Sequence, residues 1–448
     1  GSIRPPQPIM TKYVTNFFNK IQITEKCFLI LIIFFPISLI LGNLIINVNF
    51  LLIFIIFLID LSLNKNFSFI KNKIFILLIV FFLSLLVNLN FSIDPIISLP
   101  RILKILTVIC MFLFFRKMIK KYGNDFENIL FGSWAILFSI LIIDILFEII
   151  FGFNTLGIKS YIPGRISSFF GNELIVGSFF LSFATIYIAT IAKFSKTNVN
   201  FKLIVLIIFL IFLSFLIGER SNFIKFFLIS IFLLFFVIKL SFKIKIFSGL
   251  IIFCILFLSL NYFQDIKYRF YKQQIKNFQA ETKELNKANS QNILIDTKNN
   301  IINFIKWTKY GAHYNAAYKI FLENPYFGVG IKHFRNESIK EKYRNEEYKW
   351  TDERNTTHPH QIHFEFLSET GLFGYLFFII FISASLYLSI KNYLIHKNLF
   401  QLVTILYVLV SILPLLPSGS FFSTYSSSLF WLNYTIMVSY IKKLNLKI

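Results

Sequence analysis

The chain has few cysteines, and they form no recognisable pattern. Its three cysteines, Cys27, Cys110 and Cys254, all lie inside apolar runs. This arrangement offers neither a disulfide framework nor a cysteine-rich metal site. The sequence also lacks a Walker phosphate-binding loop, a dinucleotide-binding fingerprint and an internal repeat. A nucleotide-hydrolysing enzyme is therefore excluded, and the energy for any reaction must come from the substrate or from a gradient.

Charged residues are also scarce, at 15% of the 448 residues, whereas hydrophobic residues make up 56%. Apolar runs of about 20 residues are typical of transmembrane helices. The chain has twelve such runs, at about 27–44, 45–63, 74–90, 98–115, 129–151, 173–192, 202–217, 221–239, 246–262, 366–389, 398–416 and 427–440. The sequence therefore predicts an all-α polytopic membrane protein with about twelve transmembrane helices.

Acidic residues are fewer than basic ones, which gives a net charge of +23. In a soluble protein this balance suggests nucleic-acid binding. Among the short loops, most basic residues fall on one side of the predicted spans, while the links on the other side carry only Lys159, Arg165 and Arg220, with Arg101 at a span mouth. Basic loops stay in the cytoplasm, so both termini are predicted to be cytoplasmic.

The spans divide the chain into segments. Residues 1–9 resemble the remnant of an expression tag, and the first apolar run is expected to remain as a membrane anchor because it lacks a signal-peptide cleavage site. Nine spans occupy 10–262, and three more occupy 366–448. Between them, residues 263–365 form a large periplasmic loop. A loop of this length is predicted to have its own helices and a function.

One part of this loop has a helical aromatic pattern. The pattern comprises Trp307, Tyr310, Tyr314, Tyr318 and Phe321, spaced three or four residues apart. This spacing indicates one face of a helix, which ends at the Asn324–Gly330 segment with its proline and glycines. The stripe either packs the loop onto the membrane part or provides a platform on which sugars stack.

Half of the chain's six histidines lie between Thr357 and Glu365: His358, His360 and His363. Thr357 is a suitable N-cap and Pro359 suits a first turn, so a helix is predicted to begin here and to place His360 and His363 nearly on one face. An imidazole accepts a proton from an attacking hydroxyl near neutral pH. Zinc binding is the less favoured alternative, because a structural site needs four ligands. Ordinary capping and interface roles are a third interpretation.

Two arginines are predicted at the same membrane surface as the histidines. Arg165 precedes the sixth span, and Arg220 lies in the tight Gly218–Ser221 link between the seventh and eighth. A guanidinium group binds phosphate oxygens through two hydrogen bonds and remains charged. The pair therefore suits a diphosphate, although arginines also stabilise loops or extend along the membrane surface.

Further ionisable residues lie within or near predicted spans. Four of these are Arg101, Lys104, Asp144 and Glu148. They are expected either to pair with one another or to line a cavity, since isolated charges are costly within a membrane. Asp60 and Lys225 lie nearer to span ends and are expected to be solvated.

Four sequence blocks resemble successive motifs of one family. They are GRISSFFGNELIVGSF at 164–179, GERSNF at 218–223, NPYFGVGIKHF at 324–334 and THPHQIHFEFLSETGLFG at 357–374. Their order and the large loop before the histidine segment resemble the O-antigen ligase/O-antigen polymerase superfamily of bacterial envelope glycosyltransferases. The resemblance covers about residues 155–390.

The resemblance implies a GT-C-like fold and an inverting, metal-independent glycosyltransferase that needs no cofactor. Such an enzyme takes a glycan from undecaprenyl diphosphate at the periplasmic face of the inner membrane. Arg165 and Arg220 match the arginines that hold the donor diphosphate. The family's histidine–asparagine pair aligns with His360 and Gln361, which leaves the catalytic role between His360 and His363. His358, Arg101, Lys104, Glu219 and Glu173 are further candidates for accessory roles.

Several functions share these motifs. The preferred hypothesis is an O-antigen polymerase that joins lipid-linked repeat units, with a chain-length regulator as a possible partner, because the forms GER and THPH resemble variants from polysaccharide loci. The alternative is a ligase that transfers the glycan to lipid A-core. A lipid-oligosaccharide flippase is a more distant alternative, since a folded loop with clustered histidines fits it less well.

Overall fold

The structure is a computed structural model that describes residues 9–171, 173, 175–195, 198–272, 305–414 and 416–442. All but the last residue of the predicted tag remnant lie outside these ranges. Every regular element within them is helical. The α-helices are α1 Ile9–Lys20, α2 Ile23–Leu41, α3 Asn43–Asn64, α4 Lys73–Leu89, α5 Pro95–Tyr122, α6 Asn124–Phe151, α7 Val176–Phe194, α8 Val199–Leu216, α9 Arg220–Phe232, α10 Phe242–Tyr262, α11 Gln264–Lys267, α12 Lys309–Glu323, α13 Phe334–Glu337, α14 Ile362–His396, α15 Leu399–Ser411 and α16 Thr424–Ser439.

Shorter helical turns connect these helices. Turns of 3-10 helix lie at Ser68–Lys71, Ser168–Phe170, Glu341–Tyr343 and Thr351–Glu353, and π turns lie at Leu233–Val237 and Tyr268–Lys272. The first π turn continues α9, and the second continues α11.

Nine helices in the described ranges are long and apolar enough to cross a membrane: α2, α3, α5 to α10 and α14, with α9 counted together with its π turn. The apolar helices α4 and α15 are shorter, at 17 and 13 residues. The prediction of a multi-pass helical membrane protein is confirmed. Each of the twelve predicted apolar runs coincides with a helix, but the count of twelve spans stays a prediction.

Aromatic side chains fill much of the space between these helices. Phe81 of α4 stacks on Phe381 of α14, with ring centroids 4.8 Å apart. Phe28 of α2 stacks on Phe114 of α5 at 4.3 Å. Aromatic pairs of this kind contribute about 0.5–1.5 kcal/mol beyond the burial of their area. The packed rings therefore hold the helix ends, and the polar loops between them, at fixed positions.

Two buried carboxylates in α6 hold the loop that follows this helix. Asp144 accepts hydrogen bonds from Thr155 N (2.8 Å) and Ser168 Oγ (2.6 Å). Glu148 accepts hydrogen bonds from Ser167 N (2.9 Å) and Ser168 N (2.6 Å). A buried carboxylate needs donors, and here backbone amides and hydroxyls supply them. Of the two alternatives expected for these acids, pairing with the basic residues of α5 is wrong, because Asp144 and Glu148 anchor a loop instead.

The glycine-rich turn at residues 324–330 packs against a kink in α14. Gly371 at the kink has a φ of 64°, in the left-handed region. Beyond the kink, Leu372 N donates to Pro325 O (2.7 Å) and Phe373 N donates to Tyr326 O (3.0 Å). These bonds satisfy amides that the kink removes from the helix ladder, so the turn and the start of α14 form one unit.

We expect Gly371→Ala to destabilise the protein. An added Cβ would lie 2.4 Å from the carbonyl carbon of Tyr326, and the left-handed backbone alone costs an L-residue about 1–2 kcal/mol. Thermal unfolding of the purified protein measures the effect as a lower midpoint. Gly249→Ala in α10 is the matched control, because nothing lies within 4 Å of its added Cβ. Equal midpoints for the two variants would contradict this account of the kink.

Candidate functional site

Arg165 is held by the short link between α8 and α9. Its Nη2 lies 3.1 Å from Oε1 of Glu219. Glu219 also accepts hydrogen bonds from Gly177 N (2.9 Å) and from Asn222 Nδ2 (2.7 Å). In addition, Ile166 N donates to the carbonyl of residue 217 at 3.2 Å. The carboxylate therefore joins the loop before α7 to the start of α9 and positions Arg165 beside Arg220.

A third arginine, Arg269, completes this cluster, and the sequence analysis missed it. Its Nε donates to Gly218 O (3.2 Å), and its carbonyl accepts a hydrogen bond from Arg220 Nη1 (3.3 Å). Burial lowers the pKa of Arg269 to about 10, and the charges of Arg165 and Arg220 act in the same direction. Like charges so near one another are unfavourable unless an anion joins them. The cluster therefore has the electrostatics of an anion site.

The histidine segment is a loop rather than the predicted helix start. Helix α14 begins at Ile362, and Gln361 caps it by accepting hydrogen bonds from His363 N (2.7 Å) and Phe364 N (3.1 Å). His360 has a φ of 58°, in the left-handed region. The predicted helix start near Thr357 is wrong because the side chain of Gln361 satisfies the first amides instead.

His360 lies among other aromatic rings. The centroid of its ring is 4.1 Å from that of His358 and 5.2 Å from that of His313 in α12. Tyr310, one turn before His313 on the same helix, lies 5.7 Å from His360. His313 is the second site residue that the sequence analysis missed. Part of the predicted aromatic stripe thus packs on the histidine segment, and Tyr318 on the same helix remains exposed.

His363 uses both of its ring nitrogens in contacts with the protein. Nε2 lies 2.8 Å from the carbonyl oxygen of Ile412, and Nδ1 lies 3.1 Å from the hydroxyl of Tyr375. A carbonyl only accepts, so in the neutral ring the proton is on Nε2 and Nδ1 accepts from the tyrosine. By contrast, no described residue makes a hydrogen bond to the ring of His360. The two histidines between which the sequence left the catalytic role therefore differ. Both ring nitrogens of His363 are bonded within the protein, whereas those of His360 have no described partner.

One peptide segment connects the arginines to the histidines. The carbonyl of Pro417 accepts hydrogen bonds from Ser221 Oγ (2.6 Å) and Lys225 Nζ (2.9 Å). The next amide, Ser418 N, donates to the carbonyl of His360 at 2.8 Å. Ser221 directly follows Arg220, so the three segments meet at one end of the helix bundle. The structure thus brings Arg165, Arg220 and the histidines together.

These contacts also correct an expectation about solvation. Lys225 is only 4% exposed and Asp60 only 7%. Lys225 is buried against Pro417 O, and Asp60 binds Thr24 Oγ1 at 2.8 Å and Lys117 Nζ at 2.7 Å. Both were expected to be solvated. They are buried because polar partners from distant parts of the chain replace water.

Glu365, a buried acid of α14, holds the segment that carries Pro417 and Ser418. Glu365 accepts hydrogen bonds from Phe421 N (2.7 Å) and from the hydroxyl of Ser420. Ser420 in turn accepts a hydrogen bond from Lys332 Nζ at 2.8 Å. The spacing of Glu365 and Glu369, one helical turn apart, was the available sequence signal for this cluster. The hydrogen bonds to Glu365 fix residues 416–424 next to the histidine loop.

The remaining predicted residues lie apart from this centre. Arg101 donates to Thr424 Oγ1 (3.1 Å), and Lys104 donates to Thr424 O (2.9 Å) and Ser427 Oγ (2.9 Å). Both are thus bound to the first turn of α16. Glu173 is exposed before α7, and no described ion pair joins it to an arginine. No described contact links these three residues to the arginine cluster.

The histidines have lowered proton affinity. Burial and the nearby His313 imidazole together lower the pKa of His360 to about 4. Burial also lowers the pKa of His358 well below its ordinary value, and His360 and Lys332 act in the same direction. Both rings are therefore neutral near pH 7. A neutral imidazole accepts a proton, and an anion bound by the arginines would raise its basicity.

A group of three or more histidine, cysteine or acidic side chains placed to hold a metal ion does not occur within the described ranges. Taken together, the fold and this cluster define a multi-pass helical membrane protein with an arginine–histidine site at one end of its bundle.

Comparison with protein families agrees with this class. A family model described as O-antigen ligase matches residues 203–379. The matched part contains Arg220, Arg269 and the histidine loop, but it begins after Arg165. The match confirms that this part of the chain resembles the O-antigen ligase/O-antigen polymerase superfamily. No curated protein matches the chain.

Proposed function

We propose that the protein transfers a glycan from undecaprenyl diphosphate to an acceptor hydroxyl at the periplasmic face of the inner membrane. The observation that carries this proposal is the meeting of Arg165, Arg220 and Arg269 with His360, whose ring has no described hydrogen-bond partner. Both termini are then cytoplasmic, as the distribution of basic residues indicates. The loop of residues 263–365 supplies Arg269 and His313 to the site.

The arginines bind the donor diphosphate. Three guanidinium groups, of Arg165, Arg220 and Arg269, and one carboxylate, of Glu219, leave an excess of two positive charges. A diphosphate esterified at both ends carries two negative charges, so the charges match. The same groups stabilise the negative charge that develops as the diphosphate leaves, and they do so without a change in their own positions.

His360 accepts the proton of the acceptor hydroxyl. The hydroxyl oxygen attacks the anomeric carbon, its proton passes to a ring nitrogen of His360, and the bond from the anomeric carbon to the diphosphate oxygen breaks. The leaving diphosphate keeps the electron pair of that bond. One displacement inverts the configuration at the anomeric carbon. His363 is a positioning residue in this mechanism, because its nitrogens bind Ile412 and Tyr375.

The pH dependence of transfer tests the role of His360. The base must be unprotonated, so its lowered pKa keeps kcat/KM constant down to about pH 5 and halves it near the value of about 4 for the free protein. The ring is faced by His358, His313 and Tyr310. The bound diphosphate raises the pKa, so kcat should fall at a higher pH than kcat/KM. An acidic limb of kcat/KM at the ordinary histidine value of 6.5 would oppose the assignment.

Two acceptors are compatible with this site. A lipid-linked repeat unit makes the protein a polymerase, and this hypothesis rests on the forms of the GER and THPH motifs. Lipid A-core makes it a ligase, the activity after which the matching family is named. Purified protein incubated with lipid-linked repeat units alone separates the two. A ladder of products identifies a polymerase, whereas turnover only after addition of lipid A-core identifies a ligase.

A further inference from the structure

A large cavity lies at the end of the membrane part opposite to the candidate site. Its volume is about 1010 Å³, and it opens between the end of α3, the start of α4 and the last turns of α5. Helix α5 runs from Arg101, on the side of the histidines, to Lys121 at this cavity. At 1.5 Å per residue, these ends are about 30 Å apart. The cavity is therefore separate from the arginine–histidine site.

Seven cationic side chains line this cavity. They are Lys71 and Lys73 near the start of α4, Arg116, Lys117, Lys120 and Lys121 at the end of α5, and Lys442 after α16. Asp60 is the one described acidic residue in the lining. Behind the lining, Glu25 pairs with Lys117 at 3.3 Å and Lys121 at 2.9 Å. Seven cations and two carboxylates leave an excess of five positive charges around one cavity.

The cavity also has apolar surfaces. Phe57, Leu61 and Phe69 line it together with the lysines. In the same segments, Leu63 is 68% exposed and Ile70 is 53% exposed. Exposed apolar side chains next to the cavity are suited to contact with acyl chains. Lysines that only set the membrane topology would be scattered and separately solvated. The lysines described here instead converge on one cavity that has an apolar wall.

We propose that this cavity binds the headgroup of an acidic phospholipid of the adjoining leaflet. The lysines and Arg116 bind the phosphate, and the acyl chains lie along the exposed apolar side chains of α3 and its following turn. A phosphate ion shares the anionic chemistry, but the apolar wall favours a ligand with both an anionic head and a hydrocarbon tail. Lipid binding here also joins α3, α4 and α5 at this end of the bundle.

Lipid titrations of the full chain in neutral detergent test the proposal. The probes are phosphatidylglycerol, phosphatidylcholine and inorganic phosphate, and the variant is Lys71→Gln/Lys73→Gln, because no described carboxylate pairs with either lysine. At about 1 kcal/mol for each lysine, the dissociation constant of phosphatidylglycerol should rise about 30-fold at low salt. Phosphatidylcholine and inorganic phosphate should bind much more weakly to the unaltered protein.

The control variant is Lys239→Gln/Lys243→Gln, which removes the same charge from the link before α10 and from the first turn of α10, outside the cavity lining. It should bind phosphatidylglycerol as the unaltered protein does, and both variants should keep the unaltered thermal midpoint. Equal weakening in the two variants would show a general surface effect and overturn the site. Unchanged affinity of the cavity variant would overturn it as well. Displacement of the lipid by inorganic phosphate at the same concentration would overturn the lipid as the ligand.

Discussion

His360→Ala abolishes most of the glycan transfer, with a rate lower by about 100- to 10,000-fold, as expected for loss of a general base. The variant should still bind undecaprenyl diphosphate, because the three arginines that hold the diphosphate come from other segments. Single-turnover transfer with lipid-linked donor gives the rate, and a separate titration gives the donor affinity. Near-normal turnover would show that another group accepts the proton.

Two other histidine variants are the controls for this result. His396→Ala removes an exposed imidazole at the far end of α14 and should leave the rate unchanged. His363→Ala removes the partner of Ile412 O and Tyr375, so it should lower the thermal midpoint. It should also leave the position of the acidic limb of kcat/KM unchanged. If the acidic limb of kcat/KM shifted in His363→Ala but not in His360→Gln, His363 would be the base and His360 the positioning residue.

Arg220→Ala weakens donor binding. Its dissociation constant for undecaprenyl diphosphate should rise by about 10- to 100-fold, since a hydrogen bond to a charged group contributes about 1.5–3 kcal/mol. Transfer should fall further, because the same guanidinium stabilises the leaving diphosphate. Arg220→Lys should give an intermediate loss, since lysine keeps the charge without the two-pronged geometry.

Arg269→Ala should act in the same direction and tests the arginine that the sequence analysis missed. Lys159→Ala is the charge-matched control, because Lys159 is exposed in the same loop as Arg165. Equilibrium binding of undecaprenyl diphosphate measures all four variants. Donor affinity that is the same in Arg220→Ala and Lys159→Ala would remove the arginine cluster from the diphosphate site.

The helices were predictable, because hydropathy and length alone identify a segment that crosses a membrane. The run predicted at 129–151 lies within α6, Asn124–Phe151, and the predicted run 45–63 lies within α3, Asn43–Asn64. Hydropathy does not identify the hydrogen-bond partners of a polar residue inside such a helix. Asp144 illustrates this, since its partners are Thr155 and Ser168 from a loop that has no apolar pattern.

The centre of the site was only partly predictable. Arg165, Arg220 and His360 were found because short motifs place them beside tight turns or span ends. Arg269 and His313 were missed because each lies in the long loop without such a motif, and only the tertiary structure brings them to the others. The separation of His360 from His363 depends on Gln361, whose capping role starts the helix two residues after His360. The cap is decided by local hydrogen bonds to the side chain of Gln361, whereas the residue pattern indicated Thr357.

A density map of the protein with bound undecaprenyl diphosphate tests the central claim most directly. The account predicts that both phosphates lie within hydrogen-bond distance of the guanidinium groups of Arg165, Arg220 and Arg269, with the ring of His360 on the side where the acceptor enters. Phosphates bound elsewhere, for example beside Arg101 and Lys104 with the three arginines unengaged, would contradict it.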